Sequence, residues 1–214
     1  MHIIFVSSLA AVGAMARKTK VPEAPVQDAL AAFNNVVRVT QIGGPIPSIS
    51  GGGGRWAEQG WITAIAKTSK SINLIPSDGP LVDWLPVDTI ADLLLHEVVT
   101  ENARHNDGIR FLNLLHPYPQ PWKLFVEVLR VSLGVDRTTP MKDWIKKVRD
   151  VYGVDDSAAR SKLPAVPLLD YYEQEYVGSG VPSYDTTLAA ENSPIEVPTL
   201  DEDTLKTWLS GWEL

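Results

Sequence analysis

The sequence predicts an α/β fold in which a parallel sheet is followed by a mainly helical C-terminal lobe. Three apolar segments have the length of strands, residues 2–8, 36–42 and 109–115, and the second is apolar almost throughout, as a buried parallel strand is. The stretches between them are long enough for crossover connections. From Pro119 onward the strand pattern gives way to helical spacing and loops. A chain of 214 residues is also long enough to bury a hydrophobic core.

The first two predicted strands end in small or polar residues. The first ends in Ser7 and Ser8, and the second ends at Ile42 and leads into Gly43 and Gly44. Hydroxyl groups at the carboxyl ends of parallel strands face the crevice in which α/β proteins bind their ligands. Serines that satisfy the backbone groups of a turn give the same pattern, so spacing alone leaves both interpretations open.

The segments that connect the strands have their own patterns. Residues 26–33 have room for one or two helical turns before the second strand, and prolines with four consecutive glycines predict a long loop at residues 44–54. Helical spacing of apolar residues predicts a helix over residues 56–69. Residues 81–87 resemble an extended edge segment, after which Asp88 is expected to cap a helix.

The C-terminal part is predicted to be helical. Pro121 suits the first turn of a helix that ends near Leu133, and a second helix is expected over residues 141–152. Residues 179–198 show little periodicity and are predicted to form a long connection. Residues 199–202 match a capping box, which predicts a final amphipathic helix with apolar residues on one face.

Composition and charge exclude several classes of function. The net charge of −7 and the lack of a Lys/Arg stripe argue against a nucleic-acid partner, and the absence of cysteine excludes disulfides and thiol catalysis. Cysteine-free composition also favours a reducing, cytoplasmic compartment. The apolar run at residues 3–16 resembles a signal peptide, but Arg17 and Lys18 follow it rather than precede it, and it is too short to span a bilayer. We therefore favour a buried strand and expect no membrane association.

The remaining motifs do not complete a known catalytic or metal-binding pattern. His96 is followed four residues later by Thr100, so the two-histidine zinc helix is absent and no metal site is predicted. The Gly-Ser-Gly at residues 178–180 lacks the spacing of a nucleophile elbow. The four glycines at residues 51–54 lack the Lys-Ser/Thr ending of a phosphate-binding loop.

Short motifs spread along the chain match those of one known type of domain. The most specific is Trp-Leu-Pro-Val-Asp at residues 84–88. The others lie at residues 5–8, 21–23, 37–44, 60–61, 74–76, 112–117, 121–122, 143–144 and 208–212. Together they resemble the thioester reductase domain of carboxylic acid reductases, aminoadipate reductases and fungal adenylate-forming reductases of the nonribosomal-peptide-synthetase-like type. This domain is an extended member of the short-chain dehydrogenase/reductase group.

The resemblance implies a fold, an activity and a partner. The fold would be an incomplete Rossmann-like parallel sheet in residues 1–118, with a loop insertion at residues 44–80, followed by a substrate-binding helical lobe in residues 119–214. The activity would be the reduction of an acyl thioester to an aldehyde or alcohol with NADPH as cofactor. The substrate would be delivered by an acyl-carrier domain through its phosphopantetheinyl thioester.

The resemblance also assigns roles to individual residues. Ser8 would be the catalytic hydroxyl, which hydrogen-bonds to the developing oxyanion of the thioester or aldehyde carbonyl. Ser7, Ile42, Gly43 and Gly44 would contact the cofactor, since glycines permit a close approach of the backbone to the nicotinamide ring.

The sequence departs from this family in two respects. The family places Tyr-x-x-x-Lys on a helix between the two strands, where the lysine lowers the pKa of the tyrosine that protonates the reduced carbonyl. Here the first tyrosine is Tyr118, and no lysine lies between Lys20 and the second strand. The family's glycine-rich phosphate loop precedes the serine strand, at which this sequence starts. We therefore expect the C-terminal portion of such a reductase, inactive alone; the alternatives are an active enzyme with an incomplete gene model and a non-enzymatic module that binds a carrier domain.

Overall fold

The structure is a computed structural model, and it describes residues 4–9, 20–24, 35–47, 55–58, 60–103, 110–152, 162–177, 183–192 and 196–214. Its strands are β1 (Ile4–Ser8), β2 (Asn35–Val39), β3 (Ile75–Pro76), β4 (Arg110–Leu114) and β5 (Thr138–Thr139). Its α-helices are α1 (Gly60–Ile72), α2 (Val87–Ala103), α3 (Trp122–Leu133), α4 (Met141–Tyr152), α5 (Leu169–Tyr176), α6 (Thr187–Asn192) and α7 (Glu202–Leu209). A short 3-10 helix, Val166–Leu168, precedes α5.

The main sheet is parallel, with the strand order β1-β2-β4. Ser8 lies opposite Val39, and Val39 lies opposite Leu114, so the three strands end at the same edge. The predicted α/β class with a parallel sheet is therefore confirmed. The three apolar segments form these strands, although β2 ends at Val39 rather than at Ile42.

One face of this sheet is covered by α2. Alternate residues of a strand point to the same face, which places Val37 and Val39 on the covered side. The hydrophobic cluster on this side consists of Val37, Val39, Leu85, Ile90, Leu93, Leu112, Leu114 and Ala189, with Ile42, Leu94 and Val197 packed against it. The sheet is thus held by α2, by α6 and by the segment that leads into α2.

The chain divides into two compact units that interleave in sequence. The first contains the main sheet and consists of residues 1–46, 83–119 and 180–199. The second is mainly helical and consists of residues 47–82, 120–179 and 200–214. This division differs from the predicted one at residues 118/119 because long-range contacts, which sequence order does not reveal, place residues 47–82 with the helical unit and residues 180–199 with the sheet.

Aromatic packing organises the helical unit. The face of α7 predicted from helical spacing is buried and comprises Leu205, Trp208 and Leu209, whereas Trp212, predicted on the same face, is buried in the turn after the helix ends. The Trp208 and Trp56 rings meet edge to face, with their centroids 5.3 Å apart. The helix begins two residues later than the capping box predicts: Asp201 is the N-cap, and its carboxylate accepts a hydrogen bond from the Thr204 amide at 2.8 Å. An aspartate can therefore take the role expected of Thr199.

Three further elements differ from expectation. Residues 179–198 contain α6, whose first amides donate to a carboxylate far away in sequence, so local periodicity does not reveal it. Asp88 lies inside the first turn of α2 instead of preceding it, and its carboxylate accepts hydrogen bonds from the amides of Thr89 and Ile46. Helix α1 begins at Gly60 rather than near Trp56. The helix predicted at residues 26–33 and the glycine motifs at 51–54 and 178–180 lie outside the described residues.

Replacing Gly79 by alanine is expected to lower the free energy of unfolding by about 1–3 kcal/mol. A Cβ at this position would lie 2.5 Å from Cδ2 of Trp122, whose indole is buried and donates a hydrogen bond to the Pro76 carbonyl at 3.0 Å. Urea denaturation followed by circular dichroism measures the change. Gly134→Ala is the matched control, since its Cβ meets nothing within 4 Å and only the positive φ of 64° opposes it. Equal losses for both variants would contradict a steric origin.

Candidate active site at the carboxyl edge of the sheet

The predicted catalytic serine lies at the carboxyl end of β1. Ser8 is the last residue of the strand and is exposed, whereas Ser7 is half-buried. The register places Ser8 beside Val39, the last residue of β2. In open α/β sheets, ligands bind outside the carboxyl ends of the strands, so this edge is the candidate site.

The glycines that follow β2 are held in place by a second extended segment. The amide of Leu85 donates to the Gln41 carbonyl at 3.0 Å, and the amide of Gly43 donates to the Leu85 carbonyl at 2.8 Å. The amide of Val87 donates to the Gly44 carbonyl at 3.3 Å. These bonds extend β2 beyond its formal end as a parallel ladder. Gly43 and Gly44 are both buried, and their backbone is fixed before any ligand binds.

A polar pair lies where this ladder begins. The Thr40 hydroxyl donates a hydrogen bond of 2.6 Å to Oδ1 of Asp83, and the Asp83 carbonyl accepts from the His116 amide at 3.2 Å. Asp83 therefore lies between the residues that follow β2 and those that follow β4. Desolvation raises the pKa of its carboxyl above the ordinary value, although the bond from Thr40 acts in the opposite direction.

A second polar network lies on the sheet face opposite α2. Arg38 is 2% exposed and donates to the Ala24 carbonyl at 2.8 Å, to the Pro22 carbonyl at 3.3 Å and to Oδ1 of Asn113 at 3.2 Å. Its guanidinium also lies over the Phe111 ring, 5.1 Å from the centroid. Burial lowers the pKa of Arg38. This network attaches residues 20–24 to the sheet.

Glu23 extends the network to α6. Its carboxylate accepts hydrogen bonds from the amides of Asn113 at 2.9 Å, Ala189 at 3.1 Å and Leu188. Desolvation raises the pKa of Glu23 despite these three bonds, which act to lower it. The Glu23 carboxylate therefore accepts hydrogen bonds both from the outer edge of β4 and from the first turn of α6.

The structure brings all five predicted site residues to one edge of the sheet. Ser7 and Ser8 end β1, while Ile42, Gly43 and Gly44 continue from β2. Their assigned roles remain predictions.

Sequence reasoning missed the Thr40–Asp83 pair at the same edge. Two signals were available in the sequence. Thr40 is the first polar residue after the buried part of β2, and Asp83 stands within the apolar stretch that leads to the most specific motif.

The residues at this edge fit a nicotinamide ring. Gly43 and Gly44 have no side chain to block a flat ring, and Ile42 packs into the hydrophobic cluster beside them. Exposed Ser8 supplies a hydroxyl from the neighbouring strand. Among the described residues, no group of three or more His, Cys, Asp or Glu side chains is arranged to bind a metal ion. No helix in the same part of the chain is long and apolar enough to cross a membrane.

No protein-family model matches the chain. Curated relatives include 3-methylorcinaldehyde synthase tropA of Talaromyces stipitatus, which is 29% identical over 185 residues covering 83% of this chain and 6% of that protein. The non-reducing polyketide synthase pkdA of Emericella nidulans is 29% identical over 161 residues, which cover 73% of this chain and 6% of that protein. The chain therefore spans a small fraction of the length of these relatives.

Solved structures with a similar fold include reductase domains. The terminal R domain of the myxalamid PKS-NRPS biosynthetic pathway superposes with a TM-score of 0.69 at 14% identity, covering 97% of this chain and 57% of that one. The reductase domain of a nonribosomal peptide synthetase from Mycobacterium tuberculosis gives a TM-score of 0.62 at 14% identity, with 97% and 59% covered. The resemblance to reductase domains predicted from the sequence is confirmed, and at this identity the likeness concerns the fold.

Proposed function

With the fold of a reductase domain as the premise, we propose that this chain is the carbonyl-binding portion of an NAD(P)H-dependent thioester reductase. Ser8 holds the carbonyl oxygen of the acyl group, and the loop at residues 42–44 faces the nicotinamide ring. One observation supports this proposal. The serines of β1 and the glycine loop, which is hydrogen-bonded to Leu85 and Val87, lie at the same carboxyl edge of the sheet.

The residues of this edge have defined tasks in the proposed reaction. A reduced nicotinamide, when bound, supplies the hydride. The Ser8 hydroxyl donates a hydrogen bond to the carbonyl oxygen as negative charge develops on it. The backbone at Gly43 and Gly44 orients the ring, since the ladder with Leu85 and Val87 fixes its position. NADPH is the cofactor that the resemblance favours.

We propose further that the chain does not complete turnover alone. The sequence between Ser8 and Asn35 contains no tyrosine, so the tyrosine that would protonate the reduced carbonyl is absent from that segment. An active enzyme, with an additional coding segment near codon 33, is the competing proposal.

The substrate is proposed to arrive as a thioester on a carrier domain. A thiolation-reductase di-domain from an archaeal nonribosomal peptide synthetase has a similar fold, with a TM-score of 0.60 at 13% identity and 97% of this chain covered. The product named for the relative from Talaromyces stipitatus, 3-methylorcinaldehyde, is an aromatic aldehyde. We therefore propose an aromatic acyl thioester as the substrate class.

The proposal is tested with the purified chain, NADPH and the N-acetylcysteamine thioester of benzoic acid, termed here the benzoyl probe. We expect the probe to bind, as measured by ligand-observed NMR, without consumption of NADPH. Steady NADPH oxidation with release of benzaldehyde would favour the active enzyme. Absence of probe binding would reject the proposed site.

Ser8→Ala is expected to weaken binding of the benzoyl probe about two- to tenfold, because one hydrogen bond to the carbonyl oxygen contributes about 0.5–1.5 kcal/mol. The matched control is Ser132→Ala, which removes an exposed hydroxyl from α3. An unchanged dissociation constant for Ser8→Ala would contradict the assignment of Ser8.

A further inference from the structure

We propose that Thr40 and Asp83 form a second hydrogen-bond donor site for the substrate carbonyl, in which the carboxylic acid of Asp83 donates a hydrogen bond to the carbonyl oxygen. This inference rests on the proposed function, because it takes the carboxyl edge of the sheet as the place where a carbonyl binds. It assigns a binding role to two residues outside the predicted set of site residues.

The position of the pair supports a role in ligand binding. Thr40 is the residue directly after β2, and Asp83 lies two residues before Leu85, whose carbonyl accepts the hydrogen bond from the Gly43 amide. Both residues are half-buried, and they lie at the edge where the chain continues from β2 into Gly43 and Gly44. Desolvation is the largest cause of the raised pKa of the Asp83 carboxyl.

The hydrogen-bond pattern fits a neutral acid. The Thr40 hydroxyl donates to Oδ1 of Asp83 at 2.6 Å, which occupies the carbonyl oxygen of the acid. In the protonated carboxyl, Oδ2 then carries the O–H group, which is available to donate. A protonated acid of this kind can stabilise an oxyanion in the way that other neutral hydrogen-bond donors do.

The hydrogen bonds of the neighbouring His116 bear on the same state, because a positive charge on its ring would lower the pKa of Asp83. Among the described titratable groups, His116 is the one whose charge would act on the Asp83 carboxyl. Its Nε2 lies 2.9 Å from the Pro198 carbonyl, which can only accept, and its Nδ1 accepts from the Tyr118 amide at 3.0 Å. A ring that donates through one nitrogen and accepts through the other is neutral. Asp83 therefore has no cationic partner in this arrangement, and burial of its carboxyl favours the uncharged form.

Binding of the benzoyl probe should therefore depend on pH in a defined way. The raised pKa of Asp83 means that the acid form, which donates to the carbonyl oxygen, is present below that pKa and is lost as the pH rises through it. The benzoyl probe does not ionise in this range. We expect the wild-type protein to bind it about tenfold more tightly at acidic pH than at alkaline pH.

Asp83→Asn gives a sharp test because asparagine mimics the neutral acid. Its amide oxygen can still accept from Thr40, and its NH2 group can donate to the carbonyl, but it does not titrate. We expect Asp83→Asn to retain the affinity of the acid form at every pH. Asp92→Asn, an exposed carboxylate on α2, is the control and should keep the wild-type pH profile.

A second measurement is independent of the probe. Titration of the protein with 13C-labelled aspartate carboxyls, assigned with Asp83→Asn, is expected to show Asp83 titrating above the ordinary range and Thr40→Val raising its pKa further. A flat wild-type binding profile, a pH-dependent profile in Asp83→Asn, or an ordinary pKa for Asp83 would each overturn the inference. Binding of the benzoyl probe that depends on Ser8 but not on pH would leave the proposed function standing without this inference, whereas the predicted pH profile without binding of NADPH would reject the reductase assignment alone.

Discussion

Trp208→Ala is expected to lower the free energy of unfolding by about 3–5 kcal/mol, which is the cost of removing a large aromatic side chain from a packed core. Trp208 is fully buried on α7, a helix that packs against α3. Its ring lies 5.3 Å from that of Trp56, which in turn lies 5.0 Å from the Trp212 ring. Removing the Trp208 indole leaves a cavity beside the Trp56 ring, and this rigid wall limits how far the site can collapse.

Urea denaturation followed by far-ultraviolet circular dichroism measures this loss without using the tryptophan signal that the variant removes. Trp208→Phe keeps an aromatic ring in the cluster and should lose less than half as much stability. Val131→Ala, on the exposed side of α3 and 73% exposed, should change stability by less than about 0.5 kcal/mol. Similar midpoints for Trp208→Ala and Val131→Ala would show that the aromatic cluster does not stabilise the helical unit.

The packing of α7 shows what sequence alone can predict. The spacing of Leu205, Trp208 and Leu209 identifies a helix and its buried face, because helical periodicity is a local property. The same reasoning finds α3 and its glycine end, where Gly134 adopts a φ of 64°. Strand segments and the serines at the end of β1 were predicted for the same reason.

Features formed by distant residues could not be predicted in this way. Helix α6 depends on Glu23, which lies more than 160 residues before it and accepts the amides of Leu188 and Ala189. The Thr40–Asp83 pair joins residues 43 positions apart. A polar residue beside a strand has many possible partners in the sequence, and only the fold selects one. The serines and glycines of the candidate site can therefore be predicted from local signals, whereas the pairing of Asp83 with Thr40 cannot.

The network beneath the candidate site determines how firmly that edge is held. Arg38 is in β2, two residues before Thr40, and its guanidinium attaches residues 22–24 to the face opposite α2. Glu23, in the same segment, binds the outer edge of β4 and α6. The sheet edge that carries Ser8 and the glycine loop is thus supported by the buried Arg38 and the half-buried Glu23, which bind backbone groups and Oδ1 of Asn113.

Arg38→Met is expected to lower the free energy of unfolding by about 3–5 kcal/mol, which is the cost of removing one member of a buried, hydrogen-bonded charge network. The methionine stem preserves the apolar contacts in β2 but leaves the carbonyls of Pro22 and Ala24 and Oδ1 of Asn113 without this donor. Segment 20–24 should detach first, and hydrogen exchange at the Asn113 amide, which donates to Glu23, should accelerate with it.

Arg38→Lys separates charge from geometry in this network. Lysine retains the positive charge but lacks the planar fork that reaches two carbonyls and an amide oxygen together, so we expect it to recover less than half of the lost stability. Hydrogen exchange at the Asn113 amide and at the Leu129 amide of α3 distinguishes local release of the segment from global unfolding. Local release accelerates exchange at Asn113 alone, whereas global unfolding accelerates it at both amides. If Arg38→Met matches the wild type in both stability and Asn113 exchange, the guanidinium does not anchor this edge, and apolar packing against Val36 and Phe111 must hold the sheet face by itself.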